Sequence, residues 1–143
     1  MNIFVFKKKT LQPPGHIDAA AEYFAKKLGI INTKTELYIT LKSGNMLDTG
    51  RATCIDDGMY GVDIFIPLSQ EELYRTLAHE MVHVKQMIRN EFDPLISQGP
   101  SGEPVFLWHR QPYPVTTECG PWEVEAYQRE TQLYTDWLKH FSL

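Results

Sequence analysis

The segment Pro67-Leu68-Ser69-Gln70-Glu71-Glu72-Leu73 constrains this chain more than any other, because it holds a complete helix start. Ser69 can accept a hydrogen bond from the backbone three residues on, Glu72 can reach back to the Ser69 N–H, and Leu68 can pack on Leu73. Apolar residues then recur at helical spacing, so a helix is predicted from Gln70 to Arg89. With Leu77 as the zero of the helical wheel, Leu73, Met81, Val84 and Ile88 fall within about 40° of it, whereas His79 and His83 fall at roughly 200° and 240°. The histidines therefore belong to a second face, away from the apolar stripe.

That face reads His79-Glu80-Met81-Val82-His83, the pattern HExxH. Two imidazoles one turn apart can bind one ion. Glu80 lies roughly 60° to 100° from each histidine, beside the ion rather than on it, which is where a general base for water belongs. A catalytic metal takes three protein ligands and keeps one position open, so the third ligand must come from downstream. Glu91, Glu103, His109, Glu118, Cys119, Glu123 and Glu125 are the candidates. Pro121 suits the first position of a last helix reaching Phe141. In that helix Glu125 leads a polar stripe of Arg129, Gln132, Asp136 and Lys139, which reads as solvent-facing. Glu123 leads Ala126, Tyr127, Glu130, Tyr134 and Trp137, expected to pack inward, and is favoured over Glu125. Cys119 is a further option as a blocking thiolate, although a cysteine serves equally well as a small buried hydrophobe.

The remaining punctuation divides the chain into about seven elements. A short strand at Ile3 to Phe6 precedes a break at Pro13-Pro14, and a helix is predicted from His16 to Leu28 with Gly29 as its cap. Glu36 to Leu41, Arg51 to Ile55 and Tyr60 to Ile66 are rich in β-branched and aromatic residues. Separated by Ser43-Gly44-Asn45 and Asp56-Asp57-Gly58, they read as a three-stranded antiparallel sheet with two hairpin turns. Asn90 to Pro104 reads as loop and Val105 to Trp108 as a short strand. Trp108, Trp122 and Trp137 are expected as core or wall aromatics.

Composition supports one α+β domain over residues 1–143. The 143 residues are 43% apolar, and a chain of this length buries roughly 70% of its unfolded surface without needing a metal or disulfide. A metal would thus be functional. The net charge of −4 argues against nucleic-acid binding, and the run Lys7 to Lys9 is short enough to be a solvated segment. The opening MNIFVFKKKT places its apolar run before its charges, the reverse of a secretory signal, and no stretch nears the ~18 apolar residues of a membrane span. Two cysteines make no disulfide framework, so the reducing cytoplasm is the expected compartment.

On these residues the chain resembles the gluzincin zinc metallopeptidases, in which HExxH on one helix is completed by a Glu on a later one. It is most similar in style to the minigluzincins, the ImmA/IrrE-type peptidases of bacteria and mobile elements, and small phage-encoded relatives. Glu123-Val124-Glu125-Ala126 matches their E-x-x-A context, while Tyr127 stands where an Asn or Asp often orients a ligand histidine. The resemblance implies a zincin-like fold in which the small sheet packs against the N-terminal helix, the HExxH helix and a C-terminal glutamate helix. It implies one Zn2+ per chain on His79, His83 and Glu123, with Glu80 as base in peptide hydrolysis, and a regulatory or mobile-element protease as the setting. His109, Tyr113 and Tyr127 are candidates to contact the oxyanion or substrate. A peptide would pair along Tyr60 to Ile66 as the edge strand; no nucleic acid, membrane or second copy is expected as a partner. Two other readings remain: a zincin-fold zinc protein with little turnover, and a SprT-like protease with His109 as third ligand.

Overall fold

The computed structural model describes residues 1–8, 15–44 and 48–142; Lys9, Pro13, Pro14 and Asn45 lie outside them. The described chain is α+β, with three helices and two sheets. Strand β1 (Asn2–Phe6), helix α1 (Ile17–Lys27) and strand β2 (Glu36–Ser43) form a crossover in which β1 and β2 are parallel. Strand β3 (Gly50–Asp56) turns at Asp57-Gly58 into strand β4 (Met59–Ile66), and β3 and β4 are antiparallel. Helix α2 (Gln70–Ile88) follows, then strands β5 (Phe92–Gln98), β6 (Pro104–Trp108) and β7 (Gln111–Pro114), and helix α3 (Pro121–Phe141).

The first sheet departs from the expected antiparallel meander. Its order is β1-β2-β4-β3, and β2 pairs with β4 in parallel from Glu36↔Met59 to Ser43↔Ile66. Only the Asp57-Gly58 turn joins neighbouring strands; β2 and β3 are not adjacent. Alternating apolar residues specify which face of a strand is buried and are silent on its direction. Burial explains the order. β4 brings Tyr60, Val62, Ile64 and Ile66 to the core and sits between two partners, whereas the polar β3 tolerates the exposed margin. Tyr60 to Ile66 is therefore an interior strand, and the edge beside α2 is β3.

The core lies between this sheet and the helices. Leu37, Ile39, Leu41, Val62 and Ile64 meet Ala21, Phe24 and Leu28 of α1 and Leu73, Leu77, Met81 and Val84 of α2. Burial of each large side chain among them is worth roughly 1.5–3 kcal/mol. The α2 start has the expected capping box: Glu72 N donates to Ser69 Oγ at 3.1 Å and Ser69 N donates to Glu72 Oε1 at 3.1 Å. No described helix is long and apolar enough to cross a membrane.

The second sheet, β5-β6-β7, is a three-stranded antiparallel meander where sequence punctuation suggested mostly loop. Proline is confined to places that do not need its missing N–H. Pro94 lies where the β5 register slips between Asp93 and Ser97, and Pro112 and Pro114 are on the edge strand β7. The β6–β7 turn uses His109 and Arg110, both at positive φ (49° and 67°), as a two-residue hairpin of this handedness requires. Neither residue is a usual marker for such a turn.

Candidate metal centre

Helix α2 passes between the first sheet and α3, so its histidine face is covered by α3 rather than by water. Pro121 begins α3 at its first position, and Trp122 stacks on Phe92 at 4.7 Å between ring centroids with an interplanar angle of 9°. Gly120, just before the helix, leaves room for that indole: a Cβ there would lie 2.4 Å from the Trp122 ring. The first turn of α3 is thereby seated over the second half of α2.

This seating brings His79, His83 and Glu123 together. One ligand atom from each lies within 4.8 Å of the others, and the group can hold a metal ion. His79 Nε2 is 3.2 Å from Glu123 Oε2, His83 Nε2 is 2.6 Å from Glu123 Oε1, and the two Nε2 atoms are 3.3 Å apart. Tetrahedral arms of ~2.0–2.1 Å put donor atoms roughly 3.3 Å apart. Two of the three separations already match, and the third, at 2.6 Å, needs to open by about 0.7 Å. The donor set fits a small borderline cation.

The distal ring nitrogens are also engaged. His79 Nδ1 is 3.0 Å from Glu130 Oε1, and His83 Nδ1 is 2.9 Å from Gln86 Oε1. Such partners orient a ligand histidine and raise its basicity. Tyr127, at the position where the resemblance suggested an orienting residue, packs against the His79 ring at 4.7 Å, mostly exposed. Glu130, one turn further along α3, takes the hydrogen-bonding role at His79. Its place on the Glu123 stripe was visible, but helical spacing carries no information on which ring nitrogen it meets. Gln86, three residues after His83 on the same helix, carried no motif at all.

Charge follows the geometry. Burial alone would lower His79, but hydrogen bonds to Glu123 and Glu130 and the Glu80 charge raise it to about 9. His83 rises against its own burial through its hydrogen bond to Glu123, the Glu80 charge and the contact with Gln86. Burial works against ionised Glu123, yet the two histidines hold it down at about 2. Glu80 is buried, and burial pushes its carboxyl above the ordinary range against the downward pull of His83 and His79. A carboxyl shifted this way holds a proton more readily than one in water.

These groups share an open cleft of about 630 Å³. One wall is the β3 edge with the residues before it, Asp48 to Ala52; Met87, Phe92, Pro94 and Trp122 form an apolar end; Glu72, Arg75, Thr76 and Glu130 form a charged end. Gly50 allows the edge strand its close approach, since a Cβ there would meet Thr76 Cγ2 at 2.6 Å and Glu80 Cγ at 3.1 Å. Thr49 and Thr76 hydroxyls hydrogen-bond at 3.0 Å beside it.

Other expected residues lie elsewhere. His109 and Tyr113 belong to the β6–β7 hairpin and are not among the cleft-lining residues; His109 packs on Trp108 and Tyr113 on Trp122. The left-handed turn that holds His109 leaves it outside the group formed by His79, His83 and Glu123. Cys119 is exposed and also outside the group. Glu125 is not a solvent-facing residue: its carboxylate accepts from Lys85 Nζ at 2.8 Å and Gln86 Nε2 at 2.8 Å. No protein-family model, no curated protein and no solved structure matches the chain.

Proposed function

We propose that the chain is a zinc-dependent endopeptidase of the gluzincin type. The convergence of His79, His83 and Glu123 on one point, with Glu80 buried next to them in an open cleft, carries this reading. Two nitrogen ligands and one carboxylate, with one side open to the cleft, make the donor set of a catalytic rather than a structural zinc site. When bound, zinc supplies Lewis-acid polarisation of a carbonyl and acidifies water.

The chain's own residues account for the rest. Glu80 stands beside the ligands without being one of them, so it takes a proton from the attacking water and returns it to the leaving amine. A zinc-holding protein without turnover has no use for a buried carboxylate there, which favours the enzyme over the storage reading. A peptide lies along β3, the terminal strand of the described sheet order, whose free edge borders the cleft. Tyr127, which also lines the cleft and packs on the His79 ring, is our candidate to donate to a developing oxyanion. Cys54 and Cys119, both free and exposed, accord with a reducing cytoplasm.

Metal analysis of the purified chain tests the reading. About one zinc per chain is expected, lost in His83→Ala and weakened in Glu123→Ala. Cleavage of an unfolded protein substrate should require the metal and disappear in Glu80→Gln with zinc retained. A wild-type chain that takes up no zinc at neutral pH would refute the proposal.

A further inference from the structure

Gln86 is fully buried, at 0% exposure, and every polar atom of its side chain is used. Nε2 donates to the Trp122 carbonyl at 2.9 Å and to Glu125 Oε1 at 2.8 Å, while Oε1 stands 2.9 Å from His83 Nδ1. An amide whose two donors are taken by acceptors has only its oxygen left for the ring, so His83 must donate from Nδ1. In the neutral imidazole that leaves the Nε2 lone pair facing Glu123 and the metal position. The two acceptors of the amide lie within the first five residues of α3, on either side of Glu123 in sequence. One side chain thus orients one ligand and anchors the turn carrying another.

Lys85 reinforces the anchor. It is 4% exposed and bridges Glu125 at 2.8 Å and Glu91 at 2.7 Å, and Arg129 approaches Glu125 at 3.7 Å. Glu125 therefore lies under a lysine and an amide that both belong to α2. His79 lacks such a link: its partner Glu130 is on α3 and ties to no second ligand.

We infer that Gln86 is a positioning residue of the metal centre, selecting the Nδ1–H form of His83 and locking the α3 turn so that Glu123 reaches the same ion. This rests on the zinc reading above. It assigns to a neutral buried amide at His83 the orienting work that Glu130 does at His79.

The test uses the full chain with Zn2+ or Co2+ alone as probe. Zinc affinity is measured against a chromophoric chelator, and the Co2+-loaded protein is examined by proton NMR for the shifted, exchangeable imidazole N–H resonances. Gln86→Leu is expected to weaken zinc binding about 10- to 100-fold and to broaden the His83 N–H resonance through exchange with water, leaving that of His79 in place. The paired exchange Gln86→Glu with Glu125→Gln returns an acceptor to His83 and a donor between the two positions. It is expected to restore the resonance but only part of the affinity, because the Trp122 carbonyl loses its donor and Lys85 the Glu125 carboxylate, and it carries the test if Gln86→Leu does not fold. Wild-type affinity with both resonances intact in Gln86→Leu, or failure of the paired exchange to restore the His83 resonance, would overturn the assignment while leaving the zinc reading standing. A wild-type chain that binds neither ion would overturn both.

Discussion

Replacing Gly50 by alanine should show how closely the edge strand is held against the helix that carries Glu80. The added Cβ would lie 2.6 Å from Thr76 Cγ2, 3.1 Å from Glu80 Cγ and 3.3 Å from the Asp63 carbonyl oxygen. Overpacking of this kind costs about 1–3 kcal/mol. Gly50 does not adopt positive φ, so alanine also removes unfolded-state freedom and offsets about 0.4–1 kcal/mol. The expected net loss is about 1–2 kcal/mol. At ~2.1 cal/mol/K per residue of unfolding entropy, that is a fall in Tm of roughly 3–6 °C, readable by calorimetry or circular dichroism. The worst contact is to a methyl group that Thr76→Ser deletes while keeping the hydroxyl that meets Thr49. Thr76→Ser alone should cost about 0.8 kcal/mol for one buried methyl-sized group. Combined with Gly50→Ala it should cost less than the sum of the two, with a coupling of about 1 kcal/mol. A Gly50→Ala chain with wild-type Tm, or strictly additive losses in the double variant, would refute this account of how β3 meets α2.

Three further outcomes follow from the site and its supports. In the chelated protein at pH 7.5, His79 near 9 carries a proton that zinc must displace, so calorimetry in buffers of different ionisation enthalpy should report release of about one proton or more per ion, with affinity rising as pH rises towards 9; release of none would show the histidine to be already neutral. Lys85→Met leaves Glu91 without its cation and Glu125 with only Arg129 at 3.7 Å, but both keep partial solvent contact at 19% and 27% side-chain exposure, so about 2 kcal/mol should be lost in urea denaturation rather than the ~3–5 of a fully buried pair. Glu123→Ala should weaken zinc binding more than Glu125→Ala does, with a small effect on stability, whereas Glu125→Ala should chiefly reduce stability; the reverse ranking would exchange the roles assigned to the two carboxylates.

The metal face was legible because it is written on one helix. His79, Glu80 and His83 keep their relation in any fold that leaves α2 helical, and the Ser69–Glu72 box makes that helix start where it does. Glu123 could be singled out through periodicity, since Ala126 and Trp137 of its stripe on α3 are buried, whereas Tyr127 of the same stripe was expected to pack inward and is 58% exposed. The same periodicity misjudged Glu125. A polar stripe means solvent only when no buried cation faces it, and Lys85, on another helix 40 residues away, faces this one. Gln86 was invisible for a similar reason: its role depends on which atoms of Trp122, Glu125 and His83 surround it.

Strand order was beyond local pattern altogether. The alternation in Glu36–Ser43, Gly50–Asp56 and Met59–Ile66 is compatible with several pairings, and the choice among them rests on which strand loses most by being exposed. Elements whose interactions lie within a few residues follow from local pattern: the capped helix, the histidine pair with its glutamate, and the start of α3 at Pro121. What needs distant surfaces to meet is settled by packing alone. That includes placing β3 rather than β4 at the cleft, folding residues 92 to 114 into a second sheet, leaving His109 outside the site, and closing Glu123 and Gln86 around His83. Local hydrogen bonds act between neighbours in the chain, whereas burial and ligand geometry are properties of the assembled packing.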